Sequence, residues 1–185
     1  MENGRERPLS LIVSWDDFHR HCIQLAHMLE SLGKWKVVVG ISRGGLVPAG
    51  IIARELDIRR VGVLAIASYH DYKTQGGLEV LAPIGKEYLE LCPEGEGMVI
   101  VDDLVDTGVT FREAAHMYPR AHRAAVFAKD PILYVDTHFI TIPRRTWIYL
   151  PWDTQPGTLQ LRPTVVEEIA RLAKKGDESS MLQVS

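Results

Sequence analysis

Apolar residues in this chain gather in short β-branched runs, and the stretches between the runs carry them at helical spacing. Val37 to Ile41, Val61 to Ala67, Met98 to Val101 and Ala124 to Ala128 are the runs, each of a length and character that suits a strand covered on both faces. Leu46 to Leu56 lies between the first two and Phe111 to Met117 between the last two, and both read as helices. Upstream, Ser14 followed by Asp17 marks a helix start, and Phe18, Cys22, Leu25, Leu29 and Leu32 then recur on one side until Gly33. Strands alternating with helices predict an α/β fold with a mainly parallel sheet, flanked by helices and joined by right-handed crossovers.

Two regions depart from the alternation. Ser68 to about Gly97 contains Gly76-Gly77, Pro83, Gly85, Pro93, Gly95 and Gly97 with a polar first half, the pattern of a long lid-like loop. Phe139 to Ile142 and Thr146 to Leu150 are short β-type pieces around Pro143, expected to form a small hood over the sheet's edge, within about 137–160. Thr164 and Glu167 then fit a capping box, with Val165, Val166, Ile169, Leu172 and Ala173 along one side of a terminal helix. The polar tail, 176–185, is expected to fray. With 185 residues, no repeats and no composition break, one domain spanning 1–185 is the expectation.

Composition narrows the function classes. Hydrophobic residues at 46% and charged residues at 24% suit a soluble globular protein. A net charge of −3 removes the electrostatic case for nucleic acid as the main partner. The basic pairs Arg59-Arg60 and Arg144-Arg145 are scattered and read as solvated surface charge. Cys22 and Cys92 have neither metal-site spacing nor the number for a disulfide framework, which suits a reducing compartment. No apolar stretch approaches a transmembrane length, and Met1 to Pro8 lacks the apolar centre of a signal peptide, so a cytoplasmic location is expected.

Candidate chemistry concentrates in Val99 to Thr110, Val-Ile-Val-Asp-Asp-Leu-Val-Asp-Thr-Gly-Val-Thr. Asp102 and Asp103 fall at the carboxyl end of a strand, where open α/β sheets bind ligands. Asp106, Thr107, Gly108, Val109 and Thr110 lead into a helix, so free amides and two hydroxyls form an anion cradle. Acids and cradle conflict, since a carboxylate repels a phosphate by roughly 4 kcal/mol at ~4 Å with an effective dielectric near 20. A ligand that offers hydroxyls to the acids and phosphate to the cradle resolves the conflict, as a ribose 5-phosphate does. A divalent cation such as Mg2+ also suits the acids, because it accepts few protein ligands together with substrate oxygens. Helix capping alone accounts for one acid, not for three and a glycine.

Three other places carry weaker signals. Ser42-Arg43-Gly44-Gly45 joins a strand to a helix, so its backbone can approach an anion while Arg43 supplies a forked cation. Lys129 follows the strand Val126 to Ala128, at another carboxyl end, although a surface lysine is the commoner reading of such a position. Trp147-Ile148 offers an indole face and a main-chain carbonyl for a base edge, although tryptophan in a β-type segment is more often core.

The acidic segment resembles the phosphoribosyl pyrophosphate (PRPP) signature of the type I phosphoribosyltransferases: an apolar strand, an acidic pair and an Asp-Thr-Gly-x-Thr turn. Across Ile12 to Asp153 the order Ile-Ser-Arg-Gly-Gly-Leu-Val-Pro, Ala-Arg-Glu-Leu, Ser-Tyr, Asp-Asp-Leu-Val-Asp-Thr-Gly, Met-Tyr-Pro, Phe-Ala-Lys, Thr-Trp-Ile and Pro-Trp-Asp is similar to that of the xanthine-guanine branch. The resemblance implies a purine salvage transferase that takes PRPP and a 6-oxopurine base. Asp102 and Asp103 would bind ribose hydroxyls and Mg2+, with Asp103 the nearer to the metal. Ser42 to Gly45 would hold the diphosphate and Asp106 to Thr110 the 5-phosphate. Asp106 and Arg43 would be catalytic, the first facing the purine imidazole nitrogen and the second steadying the leaving group. Lys129, Trp147 and Ile148 would complete the purine pocket with Asp106. Where the family's lid carries an arginine after Ser-Tyr, this chain has Lys73-Thr74-Gln75-Gly76-Gly77, and Lys73 is the candidate substitute. A dimer or tetramer is the family's implication. The alternatives are a transferase for hypoxanthine-guanine or another acceptor, and a non-catalytic PRPP or nucleotide sensor.

Overall fold

The computed structural model describes residues 10–68 and 78–153, so Lys73, the terminal helix expected from Thr164 and the tail lie outside the described residues. Met1–Pro151 cluster as one compact unit and Trp152–Ser185 as another. Among the described residues every helix and strand belongs to the first unit.

The elements run β1 (Ser10–Ile12), α1 (Trp15–Leu32), β2 (Val37–Ser42), α2 (Leu46–Glu55), β3 (Val61–Ser68), β4 (Leu78–Ala82), α3 (Lys86–Leu91), β5 (Met98–Val105), α4 (Val109–Met117), β6 (His122–Lys129), β7 (Thr137–Ile142) and β8 (Trp147–Tyr149), with one 3-10 turn at Pro93–Gly95. Six strands make the main sheet in the order β4-β3-β2-β5-β6-β7, and only β4 is antiparallel to its neighbour. The chain winds outward from β2 to β3 in one direction and from β5 through β6 to β7 in the other. The order therefore reverses between β2 and β5, and the carboxyl ends of strands at such a reversal are where open α/β sheets bind ligands.

α1 starts where Ser14 Oγ accepts the Asp17 amide at 3.1 Å, with Asp16 and Asp17 in the first turn complementing the helix dipole. Its apolar stripe of Phe18, Cys22, Leu25, Ala26 and Leu29 is fully buried and packs toward β6, β7 and α2. Phe18 meets Phe127 of β6 with ring centroids 6.3 Å apart. Burying each such large side chain contributes about 2–3 kcal/mol. The opposite face of the sheet presents Val37, Val39, Ile41, Leu64, Met98 and Ile100 to Phe111, Ala114 and Tyr118 of α4 and its end.

The described part of the region expected to be one long loop, 78–97, holds regular elements. Leu78–Ala82 pairs with β3 as an antiparallel edge strand, and Lys86–Leu91 forms a short helix. Tyr88, Leu89 and Leu91 pack on the core, while the Tyr118 hydroxyl accepts the Ile84 amide at 3.0 Å. Glycine and proline punctuation conceals both elements, because a five-residue edge strand buries too little to show a clear alternation.

Phe139 to Ile142, expected in the hood, instead belongs to β7, the outer strand beside β6. Of the two pieces expected there, Trp147–Tyr149 stands apart from the main sheet, in a two-stranded parallel ladder with Ser10–Ile12. The acids also sit differently. β5 continues to Val105 because Asp102 pairs with Ala125, Leu104 with Phe127 and Val105 with Ala128, so Asp102 and Asp103 lie within the strand's last turn of pleat rather than beyond it.

Candidate active site

The site assembles at the reversal point from two loops that are far apart in sequence. After β2 the chain turns at once into α2, and Gly45 is its N-cap. A Cβ at Gly45 would run into the Val101 carbonyl of β5 and lie 2.8 Å from both the Ile41 amide nitrogen and carbonyl oxygen. Glycine is required there by crowding, since its φ of −66° is ordinary. A Cβ at Gly44 would fall on the Asp103 carboxylate. The Ser42 to Gly45 turn and the acidic pair are therefore in direct contact, with Arg43 exposed beside them. The Ser42–Arg43 peptide is cis.

Within the pair, Asp102 Oδ1 accepts the Asp103 amide at 3.0 Å. Burial first, and then repulsion from the adjacent Asp103 carboxylate, push the Asp102 carboxyl well above the usual carboxylate range, while the Asp103 and Gly45 amides pull the other way. Two crowded carboxylates relieve their repulsion by binding a proton, a hydroxyl donor or a cation. Among the described residues no group of three or more His, Cys, Asp or Glu side chains could hold a metal. Two acids without a protein cage suit Mg2+, which keeps most of its shell for water and substrate oxygens, and do not suit a site made entirely by protein.

A cleft of about 280 Å³ opens next to this pair, lined by Asp102 and the run from Leu104 to Phe111. Gly108 shapes it by adopting a left-handed φ of 75° as the N-cap of α4. A side chain at Gly108 would also lie 2.6 Å from the Leu133 carbonyl, in the connection between β6 and β7. The first turn of α4 is thereby directed at the cleft with its leading amides unused by the helix. Thr107 and Thr110 add hydroxyls to the same wall.

Lys129 and Asp106 end β6 and follow β5, just past the paired residues Val105 and Ala128. Their side chains meet at 3.1 Å, with the lysine side chain 10% exposed and the carboxylate 55% exposed. Lys129 is thus an almost buried cation with one face toward the cleft's acid, not a surface lysine. Trp147 is exposed and lies against Tyr149 with ring centroids 6.2 Å apart. Ile148 is buried. The Val13 amide donates to the Tyr149 carbonyl at 3.0 Å, so the Tyr149 carbonyl faces β1. Successive carbonyls alternate along a strand, so that of Ile148 faces the open edge of this two-stranded ladder.

Sequence reasoning missed one participant. Arg144, read as solvated surface charge, donates from Nη1 to the Asp106 carbonyl at 3.2 Å. No pattern around Arg144-Arg145 signals this, because the contact spans 38 residues and depends on how the Pro143–Thr146 turn lies over the loop after β5.

Comparisons with known proteins identify the family and the fold. A family model described as the phosphoribosyl transferase domain matches residues 12–153. Among solved structures, a purine phosphoribosyltransferase from Pyrococcus horikoshii Ot3 is 24% identical and superposes with a TM-score of 0.64, covering 80% of this chain and 96% of its own. A hypothetical protein from Neisseria gonorrhoeae with bound ppGpp is 22% identical, with a TM-score of 0.64 over 93% of this chain and 99% of its own. The xanthine-guanine-hypoxanthine phosphoribosyltransferase of Helicobacter pylori is 19% identical, with a TM-score of 0.61, covering 79% and 93%.

Proposed function

Since the chain belongs to the phosphoribosyl transferase domain family, and is on that footing a phosphoribosyltransferase, we propose that it transfers the 5-phosphoribosyl group of PRPP to a 6-oxopurine base, from the set xanthine, guanine and hypoxanthine. The observation that carries the base assignment is the 3.1 Å pair of Lys129 with Asp106, at the rim of a cleft whose wall is a helix N-terminus. A 6-oxo group offers the lysine an acceptor, whereas the 6-amino group of adenine does not. The Ile148 carbonyl, facing an open ladder edge, suits the 2-amino group of guanine.

In this reading a purine ring nitrogen attacks the anomeric carbon as its bond to the diphosphate oxygen breaks, and the diphosphate departs with the electron pair. Asp106 takes the proton the purine sheds, and Arg43 with the Gly44 amide stabilises the departing charge. The amides from Thr107 to Thr110 hold the 5-phosphate and fix the ribose for attack. Asp103 and Asp102 would hold Mg2+, which supplies charge neutralisation at the diphosphate and ribose oxygens. We extend the same reading to Lys73 as a lid cation, to a dimer or tetramer, and to a cytoplasmic setting. Among the described residues no helix is long and apolar enough to cross a membrane.

The deciding experiment supplies PRPP and Mg2+ with xanthine, guanine, hypoxanthine, adenine, orotate or uracil and follows diphosphate release. Release with the oxopurines and not with adenine is expected; release only with orotate or uracil would overturn the base assignment. The bound ppGpp of the Neisseria gonorrhoeae neighbour favours a second reading, in which this cleft also senses guanine nucleotides. A guanine ring and a diphosphate on one ribose present the groups that Lys129 and the glycine loop are proposed to meet separately. Inhibition by ppGpp competitive with PRPP supports sensing beside catalysis, and tight ppGpp binding without turnover of any base would leave sensing alone.

A further inference from the structure

The Arg144 contact falls on a peptide group that the cleft uses. Arg144 Nη1 donates to the Asp106 carbonyl at 3.2 Å, and the other half of that peptide group is the Thr107 amide. The peptide is trans, so its N–H points opposite to its carbonyl and away from Arg144. Thr107 lines the cleft, and among the described residues its amide donates to no main-chain carbonyl. We propose that Arg144 is a positioning residue for the phosphate of the phosphoribosyl ligand, because its guanidinium holds the Asp106–Thr107 peptide plane with the Thr107 N–H turned into the anion cradle.

The inference rests on the phosphoribosyl reading of the cleft. A backbone carbonyl in a loop between a strand and a helix is free to rotate with its amide, and a flipped plane would present an oxygen to the phosphate in place of an N–H. A charged donor on that carbonyl opposes the flip. It also draws electron density along the peptide, which makes the N–H a stronger donor to an anion. The donor comes from the Pro143–Thr146 turn, which has its own main-chain hydrogen bond from the Thr146 amide to the Pro143 carbonyl. Arg145, the neighbouring exposed arginine, lacks such a contact among the described residues and serves as the control.

The test measures ribose 5-phosphate binding by calorimetry and PRPP kinetics on the full chain for wild type, R144M, R144K and R145M. Expected for R144M are roughly tenfold weaker ribose 5-phosphate binding and a similar rise in KM for PRPP, the size of one charge-assisted hydrogen bond. Its kcat stays within about twofold, its KM for the base is unchanged, R144K lies between, and R145M matches wild type. An R144M protein that binds ribose 5-phosphate like wild type, or loses base and phosphate affinity alike, overturns the inference while leaving the phosphoribosyl reading intact. A wild-type chain that binds no ribose 5-phosphate overturns that reading and the inference with it.

Discussion

At the scale of single residues, neighbours in space decide what each group can do. Asp106 faces a nearly buried Lys129 but is itself half in water, so the pair is screened and contributes little to stability. Lys129→Met is accordingly expected to change unfolding free energy by no more than about 1 kcal/mol, while raising KM for the base at least tenfold. Asp106→Asn keeps the shape and removes the proton acceptor, so kcat is expected to fall about 100-fold or more with PRPP affinity near wild type. Steady-state kinetics with guanine and urea unfolding together test both, and an Asp106→Asn enzyme of normal kcat would remove Asp106 from the chemistry. Away from the site, His122 lies at the other end of β6, with Nε2 2.8 Å from Thr137 Oγ1 and its ring 5.1 Å from Trp35. Burial holds its pKa below the ordinary 6.5, against the attraction of Asp136 and with the help of Arg123. His21 and His138 are lowered by burial as well. For a depressed imidazole the unfolded chain binds the proton first, so stability is full above about pH 6.5 and is lost as pH falls through the folded value. Urea midpoints measured from about pH 7.5 to about pH 5 should shift less toward instability in His122→Gln than in wild type, Asp102 acting in the opposite sense in both.

At the scale of elements, the two glycines after β2 separate folding from function. A Cβ at Gly45 meets main-chain atoms of two paired strands, which cannot yield without parting β2 from β5. The atoms nearest a Cβ at Gly44 are those of the Asp103 carboxylate, a side chain rather than main chain. Gly45→Ala is therefore expected to cost about 1–3 kcal/mol by chemical denaturation, in line with overpacking elsewhere. Gly44→Ala should cost less than about 1 kcal/mol yet weaken PRPP binding, because the displaced carboxylate is one of the acidic pair. Equal stability losses in the two variants would contradict the contact between the loop and the acids. The same logic explains the elements that reading by pattern did not find. α1 and α2 are legible because their buried residues repeat along one side, and β2, β5 and β6 because their cores are continuously apolar. β4 is half exposed and α3 buries none of its residues fully, so neither writes a period into the sequence.

At the scale of the whole molecule, the sheet order brings side by side chemistry that lies about 60 residues apart in the chain. Arg43 and the acids come from strands that are neighbours only because the winding reverses between β2 and β5. A ligand that spans both loops stabilises that junction by mass action. PRPP with Mg2+ at about 100 times its Kd should add about 2.7 kcal/mol to stability, and chelation of the metal should remove most of the gain. Thermal unfolding with and without EDTA measures this, and an EDTA-insensitive shift would exclude the acidic pair as a metal site.

The sequence by itself determined the local pieces: the strand-to-helix units, the acids at a strand's end, the glycine turn and the helix N-terminus behind Gly108. These depend on residues within a few positions of one another, where periodicity, capping and glycine geometry act directly. The tertiary structure alone decided that β7 belongs to the sheet, that Gly44 touches Asp103, that Lys129 is buried against Asp106 and that Arg144 reaches the Asp106 carbonyl. Those facts come from strand order and from contacts across tens of residues, where the energy of a pair depends on which surfaces the fold brings together and leaves no trace in either local pattern.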